Sequence, residues 1–209
     1  MKIIGITGPS GSGKSLLCRM LVKRDIPCID ADGVYHSLLL PPSDCLDAIR
    51  RVFGEGVFLD SGELDRVALG TIVFQDSEKL ELLNSTVLDF VLDEIRRMIK
   101  DYGKKGYGTV AVDAPTLIES GFNRECTAVI SVLAPESVRL ARIMDRDSIT
   151  EEKARMRIAA QKKDEFYKKA SDFVLVNDGS NEKFGEKVAD LLSDELFAAC
   201  SKGANDEKA

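Results

Sequence analysis

Tryptophan is absent from the 209 residues, histidine occurs once, as His36, and proline only six times. The five cysteines, Cys18, Cys28, Cys45, Cys126 and Cys200, are widely spaced and form no CxxC pair. With one histidine and no clustered thiols, neither a zinc centre nor a disulfide framework is indicated. Free thiols in a reducing compartment are the simple expectation. No stretch reaches the ~18 apolar residues of a membrane span. The first eight residues carry one charge and too short an apolar run for a signal peptide, so a cytoplasmic protein without membrane association is expected. Positive charge is also in short supply, with 29 Lys and Arg against 35 Asp and Glu, a net −6. That excludes a generic nucleic-acid coat but leaves room for a local basic site that takes small anions.

What is present is a globular composition, 44% hydrophobic and 31% charged, in a chain long enough to bury a core without staples. Five short β-branched runs stand out: Lys2–Thr7, Pro27–Asp30, Thr109–Asp113, Thr127–Leu133 and Asp172–Val176. They are near-continuous rather than alternating, which suits strands buried on both faces of a parallel sheet. Helical spacing fills the intervals, at Ser15–Arg24, Lys79–Tyr102 and Pro135–Asp145, the last with proline where a first turn tolerates it. Strand–helix alternation predicts an α/β fold with a five-stranded parallel sheet. About 78 residues separate the second and third strands, far more than a crossover needs. We expect a single domain over 1–200, with a core at 1–37 and 108–200 and a helical insertion at about 38–107. A charge-dense lid is expected at about 142–170, and a polar tail at 201–209.

Gly8-Pro9-Ser10-Gly11-Ser12-Gly13-Lys14-Ser15 matches GxxxxGK[ST], after a strand and before a helix, which is the context the motif requires. Glycines let successive N–H groups turn toward phosphate oxygens, and the helix N-terminus adds unsatisfied donors. Lys14 would neutralise β/γ oxygens, and the Ser15 hydroxyl is placed to ligate Mg²⁺. The motif marks a nucleoside triphosphate site without naming a reaction.

Other candidates stay open on spacing alone. Asp30 and Asp32 end the second strand; one reading makes Asp32 a base for an acceptor hydroxyl, the other makes both acids helix caps. Asp113 closes an apolar strand, and Pro115 to Glu119 follow, putting Glu119 at a cleft rim. Arg139, Arg142 and Arg146 share one helical face, either as a clamp on transferring phosphates or as a solvated face paired with Glu136, Asp145 and Asp147. His36 is a structural histidine or a substrate-lining one.

Several blocks together resemble one family, the dephospho-CoA kinases. They are Ile6-Thr7-Gly8 through Ser15, Ile29 to Asp32, Gly62 to Arg66, Asp113 to Glu119, Arg142 with Arg146-Asp147, Arg157 to Gln161, and Ser171 to Val174 with Asn177-Asp178-Gly179. The resemblance implies a P-loop NTPase three-layer fold with a helical CoA-side domain and a small lid. It also implies ATP-dependent phosphorylation of the ribose 3′-hydroxyl of dephospho-CoA, the last step of coenzyme A synthesis, with Mg²⁺. ATP would meet Gly8 through Leu16, and Lys14, Asp32 and Arg142 would be catalytic. Thr7, Asp32, His36, Leu64, Arg66, Pro115 and Glu119 make up the expected acceptor side. Three positions depart from the family pattern: no His-Pro follows Leu83-Asn84, Thr116 stands in the usual Pro-Leu-Leu, and Leu16 follows Ser15.

Two rivals share the phosphate loop. A guanylate-kinase-like enzyme would carry an arginine-rich, Ser/Thr-rich stretch soon after the loop, whereas Asp25 to Asp30 reads Asp-Ile-Pro-Cys-Ile-Asp. A GTP-dependent switch would need Asn-Lys-x-Asp at a strand end; the nearest string, Gln161 to Asp164, begins with the wrong residue inside a helical pattern.

Overall fold

The computed structural model describes residues 1–193. The tail at 201–209 and the end of the expected domain at 200 lie outside the described residues. In chain order the elements are β1 (Lys2–Thr7), α1 (Lys14–Val22), β2 (Cys28–Asp30), α2 (Ala31–Leu38), α3 (Asp44–Phe53), α4 (Arg66–Val73), α5 (Ser77–Lys104), β3 (Thr109–Asp113), β4 (Ala128–Leu133), α6 (Glu136–Asp147), α7 (Glu151–Ala159), α8 (Asp164–Lys169), β5 (Phe173–Val176) and α9 (Asn181–Ser193). Among the described residues no helix is long and apolar enough to cross a membrane. Two compact units emerge, Asp30–Met98 on the one hand, and on the other Met1–Ile29 with the described chain from Ile99 onward.

The second of these units holds a five-stranded parallel sheet in the order β2-β3-β1-β4-β5. β1 is central, with Ile4 opposite Ala111 on one side and Ala128 on the other. Because side chains alternate along a strand, β1 sends Ile4 and Ile6 into a core with Leu17 and Leu21 of α1 and Phe184 and Val188 of α9. On β4, Ile130 and Val132 join that core, while Ser131 between them faces the other way and donates to the Tyr167 carbonyl of α8. Helices thus cover both sheet faces, as the α/β reading requires. The loop after β1 opens at the carboxyl end of the central strand, where open α/β sheets bind ligands.

The helical unit has its own core, in which Cys45, Leu46 and Ile49 of α3, Leu69 and Val73 of α4, and Leu83 and Val87 of α5 come together with Leu39, Val57 and Leu64. Its helices start on side-chain caps. Ser43 accepts from Cys45 N, Asp65 from Val67 N and Ala68 N, and Asp76 from Glu78 N and Lys79 N. Each satisfies an amide that the first turn leaves without an intrahelical partner. The unit's limits fall at Asp30 and Met98, against about 38 and 107 in the sequence reading. Two features account for the difference. α2 follows β2 without a loop and packs Tyr35 and Leu38 on the helical core. α5 runs unbroken across the other limit.

Candidate active site

The phosphate loop turns on glycines. Gly8, Gly11 and Gly13 have φ of 136°, 77° and 109°, values that side chains disfavour. At Gly13, a Cβ would also land on the side-chain amide of Asn177. From the end of the loop, Lys14 folds back, and its Nζ donates to the carbonyls of Gly8 at 2.8 Å and Pro9 at 3.4 Å.

Three arginines of α6 all converge on this loop. Arg139, only 6% exposed, donates through Nε to the Ser10 carbonyl at 3.0 Å and through Nη2 to Gln161 Oε1 at 2.6 Å. Gln161 Oε1 also accepts from Ser10 N at 3.1 Å. Burial pulls the Arg139 guanidinium below its ordinary range, against the opposing pull of Asp164. Arg142 donates through Nη1 to the carbonyls of Gly11 (3.1 Å) and Ser12 (3.2 Å), and through Nη2 to Asn177 Oδ1 (3.2 Å). Asn177, 1% exposed, returns a bond from Nδ2 to the Ser12 carbonyl at 2.9 Å. Arg146 reaches Ser10 Oγ at 3.2 Å and pairs with Asp147, which also holds Arg157 of α7.

The inner part of the stripe is not a solvated face, because Arg139 and Arg142 grip backbone carbonyls, while Arg146 keeps the pairing with Asp147. A trans peptide holds its C=O and N–H on opposite sides. Fixing the Ser10 and Ser12 carbonyls on arginine therefore turns the N–H groups of Gly11 and Gly13 the other way. Those amides and the start of α1 make a ready anion cradle.

The remaining sheet-unit candidates surround this loop in sequence and register. Thr7 is fully buried and its Oγ1 donates to the Pro115 carbonyl at 3.3 Å, which ties the end of β1 to the turn after β3. Ser15 is exposed in the first turn of α1, and Leu16 packs on the sheet core. Asp113 lies opposite Ile6 and accepts from Cys18 Sγ at 3.5 Å. The Cys18 thiol is pushed up by its bond with Cys28, by burial and by Asp113, so it is an inert thiol rather than a nucleophile. Glu119 is exposed, and its charge adds to burial in raising the Tyr167 hydroxyl. Four cysteines, Cys18, Cys28, Cys45 and Cys126, are free thiols; Cys200 lies outside the described residues.

The helical unit carries the other candidates. Two acids stand at its start. Asp30 caps α2, accepting from Asp32 N at 3.1 Å, while Asp32 is exposed in the first turn. His36 is exposed, with its ring 5.8 Å from that of Tyr35. Leu64 is buried in the helical core and pairs with Phe58 through the backbone. Arg66 opens α4 and is exposed; its charge lowers the Tyr35 hydroxyl, which burial and Cys45 raise.

Known proteins decide among the kinases that this loop permits. The family model for dephospho-CoA kinase matches residues 2–183. The chain belongs to the dephospho-CoA kinase family. It is therefore an enzyme, a P-loop kinase of the final step of coenzyme A synthesis. Dephospho-CoA kinase of Enterococcus faecalis is 35% identical over 195 residues, covering 93% of this chain and 98% of that protein. The Shouchella clausii dephospho-CoA kinase is 37% identical over 190 residues, covering 91% and 96%. Among solved structures, TT1252 from Thermus thermophilus superposes with a TM-score of 0.74 at 31% identity, covering 91% of this chain and 96% of that one.

Sequence reasoning did not assign a role to Asn177 or Gln161, although both fall in blocks that resemble this family. The only local sign for Asn177 is an asparagine directly after the last strand. Its partners lie 165 and 35 residues away, so no spacing rule reaches them.

Proposed function

We propose that the protein transfers the γ-phosphoryl group of ATP to the ribose 3′-hydroxyl of dephospho-CoA, giving coenzyme A and ADP. The observation that carries this reading is the family match across residues 2–183, which includes both the phosphate loop and the helical unit. In this reading the amides of the loop hold the phosphate oxygens. Lys14 leaves its carbonyl partners for the β/γ oxygens. Arg142, anchored by Asn177, adds positive charge beside the transferring group, where preorganised charge lowers the barrier without reorganisation. Asp32 accepts the proton of the 3′-hydroxyl as its oxygen bonds to phosphorus and the β–γ bridging oxygen departs with ADP. Arg66 and His36 lie on the acceptor side, with Thr7 and Pro115 bracing the cleft edge near Glu119. The segment 142–170, where Arg146, Asp147 and Arg157 link α6 to α7, serves as the lid.

Magnesium fits the donors present. Ser15 and Asp113 offer hard oxygens, and among the described residues no group of three His, Cys, Asp or Glu forms a metal cage of its own. That pattern suits an ion held largely by phosphate oxygens and water. When bound with ATP, it supplies neutralisation of the phosphate charge. A cytoplasmic setting fits two water-soluble substrates.

The test is ADP release with and without dephospho-CoA, with the product's phosphate located by NMR. Release that depends on dephospho-CoA, with phosphate on the 3′-carbon, is expected. Release indifferent to dephospho-CoA would overturn the assignment.

A further inference from the structure

Every polar group of Ser10 is held by the segment that runs from α6 past α7. Its carbonyl accepts from Arg139 Nε at 3.0 Å, its hydroxyl accepts from Arg146 Nη2 at 3.2 Å, and its amide donates to Gln161 Oε1 at 3.1 Å. The two arginines sit on α6, which is anchored by the fully buried Ile143. Gln161 comes from a different element. It stands just past α7, and α7 buries only Ala154. Largely exposed ion pairs, Arg157 with Asp147 and Arg155 with Glu136 at 3.7 Å, tie α7 to α6, and such pairs hold an element weakly. With so little apolar burial, α7 is an element of low local stability, and Gln161 is where its end meets the phosphate loop.

Gln161 Oε1 has a second donor, Arg139 Nη2 at 2.6 Å, and Arg139 is 6% exposed. Its two lone pairs are thus shared between a loop amide and a buried guanidinium. The end of α7 is closed without this side chain: Ala160 N bonds to the carbonyls of Met156 and Ile158, and Gln161 N to that of Ile158. The Ser10 amide belongs to the Pro9–Ser10 peptide, whose carbonyl lies on the opposite edge. That carbonyl accepts from Lys14 Nζ at 3.4 Å and from Ser12 N at 3.3 Å. Gln161 on one edge and Lys14 on the other therefore hold a single peptide plane. We infer that Gln161 is a positioning residue through which the docking of α7 sets the phosphate loop, acting on Ser10 directly and on the seat of Lys14 through the Pro9–Ser10 peptide. The inference rests on the proposed role of this loop in holding ATP. Its consequence is reciprocal. A contact made only when α7 is docked, and that holds the loop in its cradle form, makes docking favour nucleotide and nucleotide favour docking by the same factor.

The test reads that reciprocity on the full chain. Hydrogen exchange of residues 151–160 is followed by mass spectrometry with and without ATP, beside a calorimetric ATP titration. In wild type, ATP is expected to slow exchange in α7. Gln161→Ala is expected to weaken ATP binding about tenfold and to reduce the slowing in α7 by about the same factor. Gln161→Glu keeps an acceptor oxygen at the same reach and is expected to restore most of both. Ser10 and Gln161 are partly exposed, so water takes up the released amide and the alanine variant folds. The exchange readout separates coupling from simple bracing of the loop, which a melt would not. Weaker ATP binding in Gln161→Ala, with α7 slowed as in wild type, would show a brace and overturn the inference. Unchanged binding and unchanged exchange in that variant would overturn it as well. Wild-type α7 exchange indifferent to bound ATP would overturn it too, with the nucleotide reading left standing. Wild type that binds no ATP would overturn both.

Discussion

In the sheet unit the residues proposed for the nucleotide site are tied down from several sides, whereas in the helical unit Asp32, His36 and Arg66 are exposed on their helices. Around the loop, Arg139, Arg142, Asn177, Gln161 and Lys14 all bond to backbone groups between Gly8 and Ser12. A triphosphate presents the same oxygens in every turnover, so a cradle built from peptide groups and held from behind can be set before the ligand arrives. The acceptor side is held differently. Its helices are fixed by a shared core and by caps, and the side chains proposed for the acceptor are exposed on that frame. Substituting a loop buttress should therefore damage stability and nucleotide binding together. Substituting an acceptor-side residue should change one kinetic constant and leave the melt alone.

The largest departure should come from Asp32. Asp32→Asn keeps the shape but removes the proposed base, and turnover is expected to fall by about two to four orders of magnitude. Calorimetric ATP titration should be nearly unchanged. Turnover close to wild type would pass the role to Asp113 or Glu119 and erase the contrast between the units at its most important point. Asn177→Ala should show the opposite pattern. It strips the Ser12 carbonyl and Arg142 of a buried partner, at a cost of about 1–3 kcal/mol in stability. A lower melting temperature and weaker ATP binding should appear together. Weaker binding without any loss of stability would mean that Asn177 meets the nucleotide directly rather than bracing the loop.

Smaller effects sharpen the same comparison. Asp30→Ala removes the α2 cap and should cost about 1 kcal/mol in a denaturant melt, with turnover retained. A collapse of turnover would show that capping and catalysis are coupled through the first turn of α2. The smallest effect belongs to Asp147, whose carboxyl is held below its ordinary 3.8 by Arg146, with Arg157 adding to it. A depressed folded-state value contributes stability above the unfolded value and loses it as pH falls through the folded one. Melts of wild type and Asp147→Asn should therefore differ slightly near neutrality and converge below about pH 4. A difference that persists at low pH would mean the contact is not electrostatic.

The strands were legible because near-continuous runs such as Val110–Asp113 have few alternatives, and the phosphate loop because its chemistry is local. Boundaries moved by a residue or two, as at α5, which begins at Ser77 rather than Lys79. Asp30 read as a helix cap, and it accepts from Asp32 N at the start of α2. The arginine stripe was visible as a face, but what it faced was not. Its partners are carbonyls some 130 residues earlier, and carbonyls leave no trace in residue identity. Exposure at Val67 and Phe74 was hidden for a related reason. Apolar residues at helical spacing read as core until the fold shows that Leu69 and Val73 take the inward positions.

The helix α5 is a single 28-residue element, and the limit between the units falls within it, after Met98. A helix is a cooperative object: interrupting it in mid-course discards hydrogen bonds and creates two new ends that must nucleate again. Leu83 and Val87 near one end are seated in the helical core, and Ile95 and Ile99 further along are also buried. Melting of either unit therefore reaches into a helix whose residues belong to both. Calorimetry should record one endotherm rather than two, with amide exchange slowest in the middle of that rod.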